Sequence, residues 1–209
     1  MAPESATTDW TDLERSVRAD LETGDADAAA TRAIEKLTPV VLSYLHLMLD
    51  EEDAQDALSI FRETLWKALP RFRWECSLRA WAYRLAHHAA TRLLRRPHRR
   101  REEHLPSSAA SRLPASLGVG ASGRHAGLAV LRASLPVNDR ELLTLRVERE
   151  LEWEEIAVVL DGENSAADDE ADPPMAEAAR RNRSAALRKR YERLTRRLEQ
   201  MAREQGLID

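Results

Sequence analysis

The sequence is poor in cysteine, in glycine and in long apolar runs, and each shortage closes off a class of protein. Cys76 is the single cysteine in 209 residues, which excludes an internal disulfide and a cysteine-built zinc site. Glycines number only seven, and nowhere do apolar and polar residues alternate between turn-forming ones as a half-buried strand requires. With Ala, Leu, Arg and Glu frequent, the expectation is an all-α fold: two small helical domains joined by a flexible linker. No apolar stretch approaches the ~20 residues that span a bilayer. The opening MAPESATTDW lacks the basic and apolar segments of a signal peptide, so the chain reads as soluble and cytoplasmic with no membrane segment. Phosphate-loop, Gly-x-Ser-x-Gly and His-Glu-x-x-His patterns are absent. His87 and His88 are adjacent and diverge on a helix, a poor metal site, and Cys76 has no His partner at motif spacing. The sequence therefore offers no enzyme, no catalytic residue, no metal site and no cofactor.

What is present is charge sorted along the chain. The net charge of -4 conceals acid at Asp50–Asp56 and Asp161–Asp172 and base at Arg92–Arg101 and Arg180–Arg197. The spacing predicts a short first helix opened by a Thr11–Glu14 capping box and closed at Gly24. A helix from Asp25 to Leu37 follows, then a separate one with Thr38 as N-cap and Pro39 at its first position, carrying Val40, Val41, Tyr44, Leu45, Met48 and Leu49. Ala57, Leu58, Phe61, Leu65 and Trp66 define the next apolar stripe, with Asp50–Asp56 supplying the negative charge that a helix N-terminus favours. Past Pro70, residues 71–76 read as a loop. Ser77 is the N-cap of a helix bearing Leu78, Trp81, Leu85, Ala89 and Leu93, with Arg84, His88, Arg92 and Arg95 on another face. Pro97 ends it or lies just beyond.

Residues 97–126 lose all periodicity and read as a flexible linker too polar to fold alone. The second domain, from 127 to 209, starts with Leu128, Leu131 and Leu135. An Asn138–Glu141 capping pair then opens a helix with Leu142, Leu143, Leu145 and Val147. A turn at Glu150–Glu152 leads to WEEIAVVL, with Ile156, Val159 and Leu160 on one face. An acidic insert, residues 161–174, precedes a last helix from about Met175 to Arg203 that packs through Ala186, Leu187, Leu194 and Leu198.

Two constellations carry chemistry. Arg180, Arg181, Arg183, Arg188, Lys189, Arg190, Arg193, Arg196 and Arg197 crowd the last helix, a density that repels itself unless a polyanion is near. A capped helix, a turn, a short helix and a basic helix is the order of a helix-turn-helix, whose last helix meets guanine edges in the major groove. The plainer reading is a solvated surface helix. Trp74, Trp81 and Tyr83 beside Arg73, Arg79, Arg84 and His88 suit stacking and phosphate contact with unpaired bases. For Trp66 and Trp81 the reading as core residues is the favoured one, whereas Trp74, in a loop without an apolar frame, reads as exposed.

These residues resemble a family. Asp53-Ala54-Gln55-Asp56, Trp66, Phe72-Arg73 and the run Ser77-Leu78-Arg79-Ala80-Trp81-Ala82-Tyr83-Arg84-Leu85-Ala86 look like region 2 of the extracytoplasmic-function (ECF) sigma factors. Leu135-Pro136, Asp139-Arg140-Glu141, Leu145-Arg146 and Trp153-Glu154-Glu155-Ile156-Ala157 look like region 4, and Ser184-Ala185-Ala186-Leu187-Arg188-Lys189-Arg190 is similar to its recognition helix. The resemblance covers residues 25–96 and 128–198, with residues 1–24 as an N-terminal extension. It implies a protein that binds core RNA polymerase and directs it to promoter DNA. Asp53, Asp56 and Leu58 would then contact the polymerase. Arg73, Trp74, Ser77, Arg84, His88 and Arg92 would engage the minus-ten element, and Ser184, Arg188, Lys189, Arg190 and Arg193 the minus-thirty-five element. An anti-sigma factor is a further partner the resemblance allows.

The sequence departs from the family pattern in four places. Ser59-Ile60 stands where Gln-Glu is usual, Trp74 where glycine is usual, and Glu152 where a Ser N-cap is usual. The acidic insert separates the two helices of the helix-turn-helix. Two other readings stay open: a sigma-derived DNA-binding regulator that no longer serves initiation, and a helical interaction module without specific DNA binding. The insert is either a solvated loop, which its composition favours, or an electrostatic decoy for the basic helix. On the favoured reading, deleting Asp161–Asp172 leaves the free protein's affinity for duplex DNA at low salt unchanged; a decoy would make it rise.

Overall fold

The computed structural model describes residues 10–95, 127, 130–163 and 176–208, which are helical with no strand among them. The chain divides into two compact units, Met1–Leu93 with Val158–Ala176 and Leu94–Ala157 with Glu177–Asp209. The predicted linker, Pro97, Leu128 and the insert beyond Glu163 lie outside the described residues. Among the described residues no helix is long and apolar enough to cross a membrane.

The first unit is built from α1 (Trp10–Glu22), α2 (Ala26–Leu45), α3 (Glu51–Ala68) and α4 (Leu78–Leu94). α1 packs on α2 and α2 on α3, so residues 10–22 belong to the bundle instead of extending from it. Gly24 closes α1 as expected. It holds φ +82°, its N–H reaches the Leu21 carbonyl and that of Asp25 the Asp20 carbonyl, the paired bonds of a Schellman cap. Asp25 then turns to cap α2, its carboxylate accepting from the Ala28 N–H at 2.9 Å. Asp50 caps α3 in the same way through the Asp53 N–H, and Glu51, Glu52 and Asp53 supply charge to that first turn. The core joins Leu37, Val41, Tyr44 and Leu45 of α2 to Leu58, Phe61 and Leu65 of α3 and to Leu78, Tyr83 and Leu93 of α4, all fully buried or nearly so. Tyr44 and Tyr83 meet edge to face at 5.2 Å.

Three expectations are corrected here. Thr11 is no N-cap, because the helix already includes Trp10. Thr38-Pro39 does not start a helix: α2 runs through it, with Pro39 inside on the exposed side. The continuous apolar face from Ala29 to Leu45 outweighs the missing N–H, which would have bonded the Glu35 carbonyl. Trp66 is 42% exposed, whereas Trp81 is buried as expected.

The second unit holds helical residues 130–133, α5 (Val137–Leu143), a π-helical turn at Thr144–Glu148, the start of α6 (Trp153–Val159) and α7 (Glu177–Glu204). Pro136, not Asn138, is the N-cap of α5. Leu142, Leu143 and Leu145 are buried, but the wide turn swings Val147 out to 57% exposure. Glu150 at φ +52° makes the predicted turn into α6. Glu155 then accepts from the Glu152 N–H at 3.0 Å, supplying half of a capping box. Leu135, Leu143 and Leu194 form the local core, with Tyr191 and Leu198 against it; Ala186, expected there, is exposed. α7 ends in a second Schellman cap at Gly206, φ +66°. The Leu207 side chain then lies so close to Gly127 that an added Cβ would meet it at 2.5 Å.

Pro39→Ala restores an i→i−4 bond in the interior of α2. It should raise stability by about 2 kcal/mol, the ~3 kcal/mol propensity gap less ~1 kcal/mol from a freer unfolded chain. Urea unfolding measures the change.

Candidate nucleic-acid interface

Between α3 and α4 the chain passes through a 3-10 turn at Leu69–Arg71 and a loop at residues 72–77. Phe72 anchors the start of this loop by stacking on Trp81 at 4.5 Å with the rings 21° apart. Trp74 has φ +60°, the left-handed region where a side chain costs about 1–2 kcal/mol. The backbone thus keeps the shape that a glycine would adopt freely. The Trp74 ring lies 4.8 Å from Phe72 and carries the Arg18 guanidinium 4.3 Å from its centre. Trp74 is therefore half-buried, not the open platform its surroundings in sequence suggested.

The loop ends at a doubly served helix N-terminus. Ser77 Oγ accepts from the Ala80 N–H at 3.1 Å, the N-cap bond expected of it. Glu14 of α1 accepts from the Leu78 N–H at 2.6 Å. Glu14 thus leaves the capping box predicted at its own helix and serves α4 instead. Arg79, one residue on, lies over the Trp10 ring at 5.6 Å.

Of the region 2 candidates, Arg73 and Arg92 are exposed, and Ser77, Arg84 and His88 are half-buried. Tyr83 and His87 belong to the interior. On α3, Asp53 and Leu58 are 1% exposed and offer a partner no surface, while Asp56 faces solvent with Glu52, Gln55 and Ser59. The pKa shifts that resolve lie elsewhere in this unit. A 2.7 Å bond from Lys67 holds the Glu63 carboxyl below its ordinary value, and Asp20 raises that of Arg32.

In the second unit α7 is held by polar and aromatic contacts as well as by leucines. Arg190 donates to Asp139 Oδ1 through Nε at 2.9 Å and Nη2 at 2.7 Å. Tyr191 meets Trp153 edge to face at 5.3 Å. The Arg146 and Arg188 guanidinium groups lie 5.1 and 5.8 Å from the Trp153 ring. Ser184 is buried and bonds the Arg181 carbonyl, so it has turned inward. Arg188, Lys189 and Arg193 are exposed, continued along the helix by Arg196 and Arg197. Arg190 is thus committed to the fold, while its neighbours keep their charge in solvent.

With this geometry in place, the comparisons fall on the first unit. Residues 33–101, about a third of the chain, match the family model for Sigma-70 region 2. The match spans the end of α2, α3, the 72–77 loop and α4, and it supports a sigma factor. No curated protein matches the chain.

Sequence reasoning missed Glu14 and Arg18 as the residues that hold the loop and its junction with α4, Trp10 as the partner of Arg79, and Asp139 as the anchor of Arg190. Glu14 and Leu78 are 64 residues apart, and no local pattern joins them. Only the unusual Trp74 signalled that something must hold the loop. Trp74→Ala loses the ring contacts and keeps a side chain at positive φ, whereas Trp74→Gly loses the ring and relaxes the backbone. The Gly variant should be the more stable of the two by about 1 kcal/mol, read from the difference in their urea midpoints.

Proposed function

We propose that the protein is a sigma factor of the ECF type that binds core RNA polymerase and directs promoter-specific initiation. Residues 25–96 act as region 2 on the minus-ten element and residues 127–209 as region 4 on the minus-thirty-five element. The observation that carries this reading is the Sigma-70 region 2 match over residues 33–101. The loop that falls inside it carries exposed Arg73 beside half-buried Phe72 and Trp74, basic and aromatic residue types of the kind that meet unpaired bases. Polymerase docking is assigned to the exposed side of α3 around Asp56, with Asp53 and Leu58 shaping that helix from within. Duplex contact is assigned to Arg188, Lys189 and Arg193, whose solvent-facing charge on a docked helix fits a phosphate-lined groove. Arg190 sets the helix in place through Asp139, and an anti-sigma factor and a cytoplasmic setting accompany the same reading.

Run-off transcription on genomic fragments tests it. Addition of the protein to core polymerase should give discrete transcripts, and failure of the pure protein to bind core polymerase would falsify the proposal. Arg188→Ala and Arg193→Ala should each lower the slope of log affinity against log salt by about 1 if they meet phosphates. Arg190→Ala should act mainly on stability, by about 0.5–1 kcal/mol, because its partner is inside the protein.

A further inference from the structure

We propose that α1 is the positioning element of the 72–77 loop, with Glu14 and Arg18 as its positioning residues. This inference rests on the base-capturing role given to that loop above. The loop is fixed at its start by Phe72 on Trp81 and at its end by the Glu14 carboxylate on the Leu78 N–H. Its middle residue, Trp74, holds a left-handed backbone conformation that survives only where surroundings impose it. Those surroundings are the Phe72 ring and the Arg18 guanidinium, 4.3 Å from the Trp74 ring centre. Two of the loop's restraints therefore come from one helix distant in sequence, one turn apart on its surface. A carboxylate at a helix N-terminus meets both N–H donors and the positive end of the dipole, which makes Glu14 the stronger of the two. A loop held in shape before binding loses less conformational freedom when it takes up a nucleotide.

Cys76 supplies a reporter inside the loop that needs no DNA. It is half-buried and is the protein's only cysteine, so its rate of modification by a thiol reagent in the full-length protein measures loop opening. Glu14→Ala should raise that rate about tenfold, the factor for one charge-assisted hydrogen bond. Glu14→Gln, whose amide oxygen still accepts the Leu78 N–H, should stay within about threefold of the wild type. Arg18→Ala should raise the rate about threefold. Unchanged rates in both alanine variants, with thermal melts confirming folded protein, would overturn the proposal.

The second arm uses the holoenzyme with core polymerase and a random-sequence pool of single-stranded oligonucleotides. Glu14→Ala should weaken capture of the pool about tenfold, and Glu14→Gln should restore it. Capture that stays at the wild-type level while Cys76 labelling rises would also overturn the proposal, since loop order would then be irrelevant to binding. Wild-type holoenzyme that captures nothing would instead remove the base-capturing role itself, leaving the labelling rates to decide whether α1 holds the loop.

Discussion

The carboxylate of Glu14 sits 2.6 Å from the Leu78 N–H, a contact between residues 64 positions apart. With the packing of α1 on α2, it fixes the surface beside the 72–77 loop. A helix begins with N–H groups that no preceding turn can satisfy, and α4 begins where the chain has just left an irregular loop. Ser77 serves one of those donors locally and Glu14 another from outside. Once α1 is tied to the start of α4, Arg18 falls over Trp74 and Trp10 falls beside Arg79. Aromatic and basic side chains that would otherwise be mobile in solvent become a surface of fixed shape.

The second unit solves a related problem by dividing its arginines between two tasks. A helix so rich in positive charge gains little from packing leucines alone, and Leu187, Leu194 and Leu198 form a thin stripe. Arg190 paired with Asp139 adds a directional contact, and the Trp153–Tyr191 pair adds an aromatic one. Both act on the middle of α7, so the exposed charges on either side keep a defined orientation. The π-helical turn at Thr144–Glu148 belongs to the same arrangement. It is bridged by Arg132, which bonds Thr144 Oγ1 and pairs with Glu148, while Arg146 reaches forward to the Leu151 carbonyl.

The all-α fold, the caps at Gly24 and Ser77, the acidic start of α3 and the extent of α7 were legible because each depends on residues close together in sequence. Periodicity located most core positions for the same reason. The errors share one cause: a local preference overruled by distant packing. Thr38-Pro39 looks like a helix start, but the faces of α2 on either side of it bury against the same neighbours. Trp66 looks like core because tryptophan is large and apolar, yet its position on α3 faces outward. Asp53 and Leu58 carry a family resemblance in their sequence, but burial is a property of the bundle. Of the candidate interface, residue type revealed the basic face of α7 and the aromatic loop. It could not reveal that Arg190 and Trp74 already have partners, because those partners are Asp139 and Arg18.

The close approach of Leu207 to Gly127 has a mechanical meaning. These two residues are 80 positions apart in sequence, yet they approach closely. Gly127 therefore meets the turn that closes α7 directly. α7 is 28 residues long, about 42 Å end to end. A side chain at position 127 would therefore press on the turn that closes the helix carrying the exposed arginines and lysine.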